Sequence, residues 1–182
     1  AVAGGGVVIG TVATMRYAAM DAAATPDAGR GGVAWLAMVL VDADRRGGGI
    51  GTRLLRHAIA TAHLEDTLGL DATPLGQPIY EKLGFVAAGT LVRMQRQPLT
   101  DGGQGVHDRS LHPNVRPATP ADIDAIARLD AHTTGLDRAA MLAWLRDGAP
   151  TTAWVCESAG HMTGVVLGRI GHDAVHIGPI IA

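Results

Sequence analysis

The chain has 182 residues, a hydrophobic content of 47% and a formal net charge of -2, which predicts one large or two small globular domains. The charge is nearly balanced and no basic run is interleaved with aromatic residues, so nucleic acid and membrane surfaces are not expected as partners. Cys156 is the single cysteine. An internal disulfide and a cysteine-based metal site are therefore excluded, and a cytoplasmic location is expected.

The first residues lack both an initiator Met and the charged region of a signal peptide, and they begin inside a predicted strand. The glycines at positions 4–6 predict a turn, with residues 1–3 as the stub of one hairpin arm and residues 7–17 as the other. No apolar run reaches the roughly 20 residues that a membrane-spanning helix needs. We expect the natural chain to extend beyond both ends of this sequence.

The following segments alternate between strand and helix patterns. Residues 18–32 predict a loop, and the continuous apolar run 33–41 predicts a strand buried on both faces. A helix follows a run of glycines, and its apolar face is predicted to contain Leu54, Leu55, Ala58, Ile59 and Ala62. Residues 67–74 predict a short strand, "PIYEKLGF" a short helix closed by Gly84, and residues 85–97 a last strand.

Residues 98–113 have the glycine, proline and polar composition of a linker. A short strand and two helices are predicted after it, with Thr119 as N-cap, Pro120 at the first helical position and Asp122 in the first turn. A hairpin and a final strand, 174–182, complete the chain. This order of elements resembles the order at the start of the chain, so two related modules are expected, 1–97 and 114–182.

The junction between strand 33–41 and its helix has the features of an anion site. Glycines at a helix N-terminus expose backbone N–H groups at the positive end of the helix dipole, and Arg45 and Arg46 add charge. A P-loop would need a lysine before Thr52, and a dinucleotide loop would need a glycine at Thr52. The pattern Arg/Gln-x-x-Gly-x-Gly/Ala, in contrast, matches Arg46 to Gly51 in full.

With that match, "VLVDADRRGGGIGTRLL" resembles the acetyl-CoA loop of the GNAT superfamily of N-acetyltransferases, and "GQPIYEKLGF" resembles the next motif of the same family. The resemblance covers residues 1–97. It implies an α/β (α+β) GNAT fold, in which a mixed central sheet is flanked by helices and is followed here by a second, partial GNAT-like module.

The resemblance also implies the residues that bind acetyl-CoA, which is a co-substrate. In the family the cofactor lies where the fourth and fifth strands separate, here 33–41 and about 68–73. The backbone of the first strand pairs with the pantetheine arm, and the loop holds the pyrophosphate. Carried over, the cofactor-binding residues are Val39, Leu40, Val41, Arg46, Gly47, Gly48, Gly49, Ile50, Gly51 and Thr52, with Thr73 in place of a family asparagine.

For the chemistry, the resemblance implies acetyl transfer to a primary amine of a small molecule or peptide. Tyr80 matches the tyrosine that protonates the leaving thiolate in many members. Some members carry a glutamate as base on the strand, but Trp35 stands at that position here. Asp71 is the remaining candidate for the base, although it could equally cap the end of a strand. A non-catalytic acyl-CoA-binding or regulatory module stays open as the alternative.

The second module contains no loop of this type, so no acetyl-CoA is expected there. We expect it either to wall the acceptor pocket or to pair two copies of the chain as a homodimer. No metal site is expected, because His161, His172 and His176 lack ligand spacing, and His57 and His63 lie on the polar side of the predicted helix.

Overall fold

The computed structural model describes residues 1–2, 5–20, 31–97 and 113–182. Contacts within the chain divide it into two compact units, Ala1–Gln95 and Arg96–Ala182, and each unit is described by itself. The predicted linker, 98–113, lies outside the described residues up to position 112. Within the described ranges, no helix combines the length and the hydropathy that crossing a membrane requires.

The first unit contains a three-stranded sheet and two helices. The sheet order is β1-β2-β3, and β1 pairs with β2 antiparallel while β2 pairs with β3 parallel. The elements are β1 (Gly10–Tyr17), β2 (Val33–Val41), α1 (Ile50–Thr61), β3 (Thr67–Gly69) and α2 (Gln77–Glu81). The mixed sheet with flanking helices, the apolar strand 33–41 and the helix after the glycines are therefore confirmed.

Helix α1 packs on one face of this sheet because its apolar residues share one side. Leu55 and Ala58 are buried against Leu36 of β2, as the helical spacing predicted. Gly10 of β1 permits this close packing, since a Cβ there would lie 3.2 Å from the side chains of Ile50 and Leu54. The core of the first unit therefore lies between β2 and α1.

Two predicted strands differ from the structure. The strand expected at 67–74 is limited to β3, because β2 and β3 pair at only three positions before they separate. The strand expected at 85–97 does not form. Phe85 packs against the core, and the other large apolar side chains of this segment are exposed: Val86, Leu91, Val92 and Met94. A strand needs a neighbour for its backbone hydrogen bonds, and β3 offers an edge of only three residues.

The expected pairing at the start of the chain is present in reduced form. Val2 and Val8 form an isolated antiparallel bridge, and the amide of Ile9 donates to the carbonyl of Ala1 at 3.0 Å. Strand β1 begins at Gly10, three residues later than the pattern predicted. Residues 3 and 4 lie outside the described part.

The second unit places two helices against a four-stranded antiparallel sheet in the order β4-β5-β6-β7. Its elements follow the predicted order: β4 (Val115–Pro117), α3 (Ile123–Thr134), α4 (Ala139–Gly148), β5 (Trp154–Ser158), β6 (His161–Ile170) and β7 (Val175–Ile181). Its core joins both helices to the sheet through Ile126, Leu142, Val155 and Leu167.

The predicted N-cap at Thr119 is confirmed, and it begins a short 3-10 helix, Pro120–Asp122, that leads into α3 and carries a capping box. The Thr119 amide and hydroxyl both donate to Asp122, at 2.7 and 2.8 Å. Arg116 of β4 donates to Asp122 at 2.8 Å and also to Glu157 of β5. Hydrogen bonds from Arg116 hold the pKa of Asp122 far below its usual range. The network therefore attaches the start of the helical segment to two strands.

Candidate active site

Strand β2 has a long edge without a strand partner. Its parallel pairing with β3 ends at Trp35 and Gly69, and within the described residues no strand pairs with positions 36–41 on that side. At the rise of a β-strand this edge is about 20 Å long. The two strands thus form a wedge whose apex lies at Trp35 and whose open end lies at the glycine loop.

A β-bulge interrupts β2 inside this wedge. Two residues of β2, Met38 and Val39, lie opposite the single residue Val12 of β1. Met38 has a φ of 52°, and its carbonyl accepts a hydrogen bond from the Thr11 hydroxyl at 2.9 Å. The bulge shifts the alternation by one residue, so that Leu36 and Val39 both pack against the α1 side. The bulge therefore changes the direction of the backbone N–H and C=O groups of the unpaired edge at Met38 and Val39.

The glycine loop forms a cradle without side chains. Gly47 and Gly49 have φ values of 78° and 72°, in the left-handed region that favours glycine, and Gly49 is the N-cap of α1. A Cβ at Gly47 would meet nothing within 4 Å, and a Cβ at Gly48 would meet only the Arg45 carbonyl, at 3.7 Å. The first N–H groups of a helix have no intrahelical acceptor. The loop therefore fits an anionic group such as a pyrophosphate.

Two arginines hold this loop from opposite sides. Arg46 donates from Nε to the carbonyl of Val41 at 3.2 Å, and Arg53 donates from Nη1 to the carbonyl of Gly48 at 3.0 Å. Arg53 is not among the site residues that the sequence predicts. Its position could nevertheless have indicated a role at the loop, because a cation in the first turn of a helix opposes the helix dipole and is usually avoided there.

Thr73 lies in the turn before α2 and Tyr80 lies within α2, and their side chains are close together. Both approach Gly76, where an added Cβ would lie 3.0 Å from Tyr80 Cε2 and 3.3 Å from Thr73 Oγ1. The Tyr80 ring contacts Phe85 edge to face, with centroids 6.3 Å apart, and packs against the core between β2 and α1. The Thr73 hydroxyl accepts from the Gly76 amide at 3.2 Å. The Tyr80 ring is therefore held by Phe85 and by the core cluster of the first unit.

Asp71 and Trp35 lie near the apex of the wedge. Asp71 is exposed two residues after the end of β3, and within the described part of the chain it makes no hydrogen bond or ion pair. The Trp35 indole covers Gly69, since a Cβ on that glycine would lie 2.5 Å from Cζ3 and 2.6 Å from Cε3 of the ring. Within the described part of the chain, no hydrogen bond or ring contact joins Asp71 to Tyr80.

An ion pair links β1 to the residue just before β3, near the apex of the wedge. Arg16 of β1 contacts Asp66 with two hydrogen bonds, of 2.7 and 3.0 Å, and the Gly32 amide donates to the same carboxylate at 2.8 Å. The hydrogen bond from Arg16 lowers the pKa of Asp66 below its ordinary value. Strand β1 and the residues just before β2 and β3 therefore meet at one carboxylate.

A metal site receives no support from the described residues, in which no group of three or more His, Cys, Asp or Glu side chains could hold an ion. His57 is exposed on α1, as predicted, whereas His63 is exposed beyond the end of α1, because the helix ends at Thr61. The site therefore consists of the unpaired edge, the glycine loop and the Thr73–Tyr80 turn.

Comparison with known proteins identifies the family. Residues 1–87 match the profile of the acetyltransferase (GNAT) domain. The chain is 29% identical over 149 residues to the holothin acyltransferase of Pseudoalteromonas sp. (strain SANK 73390), an alignment that covers 81% of this chain and 47% of the relative. The chain therefore spans about half the length of this curated relative.

One solved structure shares the fold of this chain. A candidate acetyltransferase from Pyrococcus horikoshii superposes with a TM-score of 0.58 at 20% identity, over 96% of this chain and 51% of that chain. An acetyltransferase from Trypanosoma brucei matches 50% of this chain and 61% of its own at 25% identity, with a TM-score of 0.43. The profile match shows that residues 1–87 belong to the GNAT acetyltransferase domain family, and the Pyrococcus structure shares the fold of the chain.

Proposed function

We propose that this protein transfers the acetyl group of acetyl-CoA to a primary amine of a small molecule or peptide. The observation that carries the proposal is the unpaired edge of β2, which leads directly into a glycine cradle at the start of α1. An extended arm adds to such an edge as a further strand, and a pyrophosphate binds at such a helix start. The family and the name of the holothin relative support acyl transfer in general.

The binding roles follow from this geometry. The backbone of Val39, Leu40 and Val41 would pair with the pantetheine arm. The pyrophosphate would be held by the cradle and its flanking groups, from Arg46 through Gly47, Gly48, Gly49, Ile50 and Gly51 to Thr52. Thr73 would also contact the cofactor, and its exposed hydroxyl lies near Tyr80 at Gly76.

The chemical roles fall to groups at the wedge. A backbone N–H next to the bulge polarises the thioester carbonyl, in the manner of an oxyanion hole. The acceptor nitrogen attacks the carbonyl carbon and forms a C–N bond, and the C–S bond breaks with its electron pair on sulfur. Tyr80 gives its proton to the thiolate, and Asp71 accepts the proton that leaves the amine.

The alternative is a non-catalytic acyl-CoA-binding or regulatory module. The observation in its favour is Trp35, which replaces the carboxylate that some family members place on this strand. Binding of CoA without turnover of any acceptor would support this alternative.

The test combines calorimetry with release of free thiol from acetyl-CoA across a panel of amines. We expect CoA binding and turnover, with Arg46→Glu weakening CoA binding at least tenfold because it puts an anion beside the pyrophosphate. Arg56→Glu is the matched control, because Arg56 is exposed on α1, well past the helix start, and undergoes the same change of charge. Absence of heat with CoA, together with no effect of Arg46→Glu, would refute the assignment.

A further inference from the structure

The two parallel strands of the wedge pair over a very short length. Strand β3 pairs with β2 at three positions, from Val33 opposite Thr67 to Trp35 opposite Gly69. Three pairs span about 10 Å of strand, and even a longer isolated two-stranded pairing is only marginally stable in water. A slip of one residue would turn every side chain of β3 to the other face of the sheet. The register of β3 against β2 therefore needs a further restraint.

A buried carboxylate lies at the closed end of this pairing. The Asp66 side chain is 0% exposed, and it accepts two hydrogen bonds from Arg16 and one, at 2.8 Å, from the Gly32 amide. Gly32 and Asp66 are the residues immediately before β2 and β3. The Thr67 amide donates to the Gly32 carbonyl at 3.0 Å, so both backbone polar groups of Gly32 are bonded to the start of β3. We call Arg16, Gly32 and Asp66 the clasp.

The backbone around the clasp is packed too closely to allow a slip. A Cβ on Gly31 would lie 2.0 Å from the carbonyl oxygen of Glu65, and a Cβ on Gly32 would lie 2.0 Å from the carbonyl oxygen of Tyr17. Only glycine fits at such distances. A shift of β2 by one residue towards its own N-terminus would bring Val33 into the second of these contacts. The clasp and the two glycines therefore hold β3 in one register against β2.

This register decides which residue lies across the wedge beyond its apex. Leu70, one residue past the last pair, packs against the core cluster that contains Leu36. Counting one residue further puts Asp71 level with Ala37, just before the bulge of β2. Under the proposed function the thioester carbonyl lies at the bulge, and Asp71 accepts the proton of the amine. A slip of one residue would move Asp71 by about 3.3 Å and turn its side chain to the other face.

We propose that Asp66 is a positioning residue for acyl transfer, because the clasp fixes the register of β3 and thereby the place of Asp71 beside the thioester. This inference rests on the proposed function. The clasp lies at the N-terminal ends of β2 and β3, whereas the glycine loop follows the C-terminal end of β2. The clasp therefore acts on the transfer step and leaves CoA binding to the loop and the unpaired edge.

The first test separates kcat from cofactor affinity, using release of free thiol from acetyl-CoA with the amine of the panel that turns over fastest. Asp66→Ala should lower kcat about tenfold or more, and the Kd for CoA in calorimetry should stay within about threefold of the natural value. Asp66→Asn keeps an oxygen for the Gly32 amide and should retain most of kcat.

The matched control for this test is Asp122→Ala in the second unit. Asp122 likewise accepts two hydrogen bonds from one arginine, Arg116, and one from a backbone amide, that of Thr119. Asp122→Ala should lower the melting temperature and leave kcat unchanged, because the network that it breaks does not involve β3.

The second test asks whether Asp66 acts through Asp71. Asp71→Asn alone should lower kcat about tenfold or more, and adding Asp66→Ala should lower it by less than about twofold further, because no base is left to misplace. A purely structural role would lower kcat by the same factor in both backgrounds. Asp66→Glu keeps the charge for Arg16 and adds a methylene between the carboxylate and β3, so it should show the same pattern with a smaller loss of stability.

The outcomes distinguish this inference from the proposed function. If CoA binds and acetyl transfer occurs, but Asp66→Ala leaves kcat unchanged or lowers it equally with and without Asp71, the positioning role is wrong and acetyl transfer stands. An unchanged kcat in Asp71→Asn overturns the positioning role in the same way. If CoA gives no heat and no thiol is released, both proposals fall. If Asp66→Ala unfolds, Asp66→Glu decides, and a natural kcat in that variant overturns the inference.

Discussion

Single residues set the geometry of the unpaired edge. At one end, the Trp35 indole closes over Gly69, where β2 and β3 make their last pair. In the middle, Met38 holds a left-handed conformation that non-glycine residues rarely adopt, stabilised by the Thr11 hydroxyl. A methionine in the sequence does not indicate this conformation, so the bulge could not be predicted from the sequence. In the sequence, Trp35 indicates only that the glutamate base of some family members is missing.

At this scale we predict that Tyr80→Phe lowers kcat about 100-fold, the lower end of the effect of removing a general acid. The phenylalanine ring keeps the contact with Phe85 and the core, so the melting temperature and the KM for acetyl-CoA should stay unchanged. Steady-state kinetics and thermal unfolding provide the measurements. If kcat stays within threefold of the natural value, the thiolate leaves without help from Tyr80.

At the scale of elements, the passage from β2 through the loop to α1 follows from local chemistry. An apolar strand, three successive glycines and a helix with one apolar face are all visible in the sequence. The sequence does not show which side chains of β2 face α1, because every residue of the run 33–41 is apolar. Only the pairing with β1 shows that the bulge changes which side chains contact α1.

At this scale we predict that Gly49→Ala weakens CoA binding at least tenfold, because it strains the cradle and puts a methyl group beside Arg53. A left-handed alanine costs about 1 kcal/mol of folding free energy. Gly160→Ala is the matched control: Gly160 has a φ of 77° in the turn between β5 and β6, and a Cβ there meets nothing within 4 Å.

Calorimetry and chemical unfolding distinguish the two glycine variants. Both should lose about the same stability, and only Gly49→Ala should lose affinity for CoA. Equal affinity in both variants would show that the cradle does not bind the cofactor.

At the scale of the whole molecule, the chain contains two units with separate cores. The alignment with the holothin acyltransferase covers 81% of this chain, so this likeness reaches past residue 87 into the second unit. The predicted boundaries, 1–97 and 114–182, and the GNAT-like character of the second module stay predictions. Whether that unit walls the acceptor pocket or pairs two chains is likewise a prediction.

At this scale we predict that one substitution in each core destabilises its own unit. Leu55→Ala in the first unit and Leu142→Ala in the second each remove a fully buried side chain and should cost about 2–5 kcal/mol. Hydrogen exchange followed by mass spectrometry should show lost protection in the mutated unit. Leu142→Ala should leave CoA binding intact, and loss of binding in that variant would mean that the cofactor site depends on the second unit.

Sequence patterns alone predict the order of most elements, the glycine loop, the apolar face of α1, the N-cap at Thr119 and the family of residues 1–87. These features depend on residues close together in the chain, where turn chemistry and periodicity act. The tertiary structure decided where β3 ends, that residues 85–97 form no strand, where β2 bulges, and that Trp35 lies across Gly69. Those features depend on which segments find hydrogen-bonding and packing partners far along the chain, and local patterns do not contain that information.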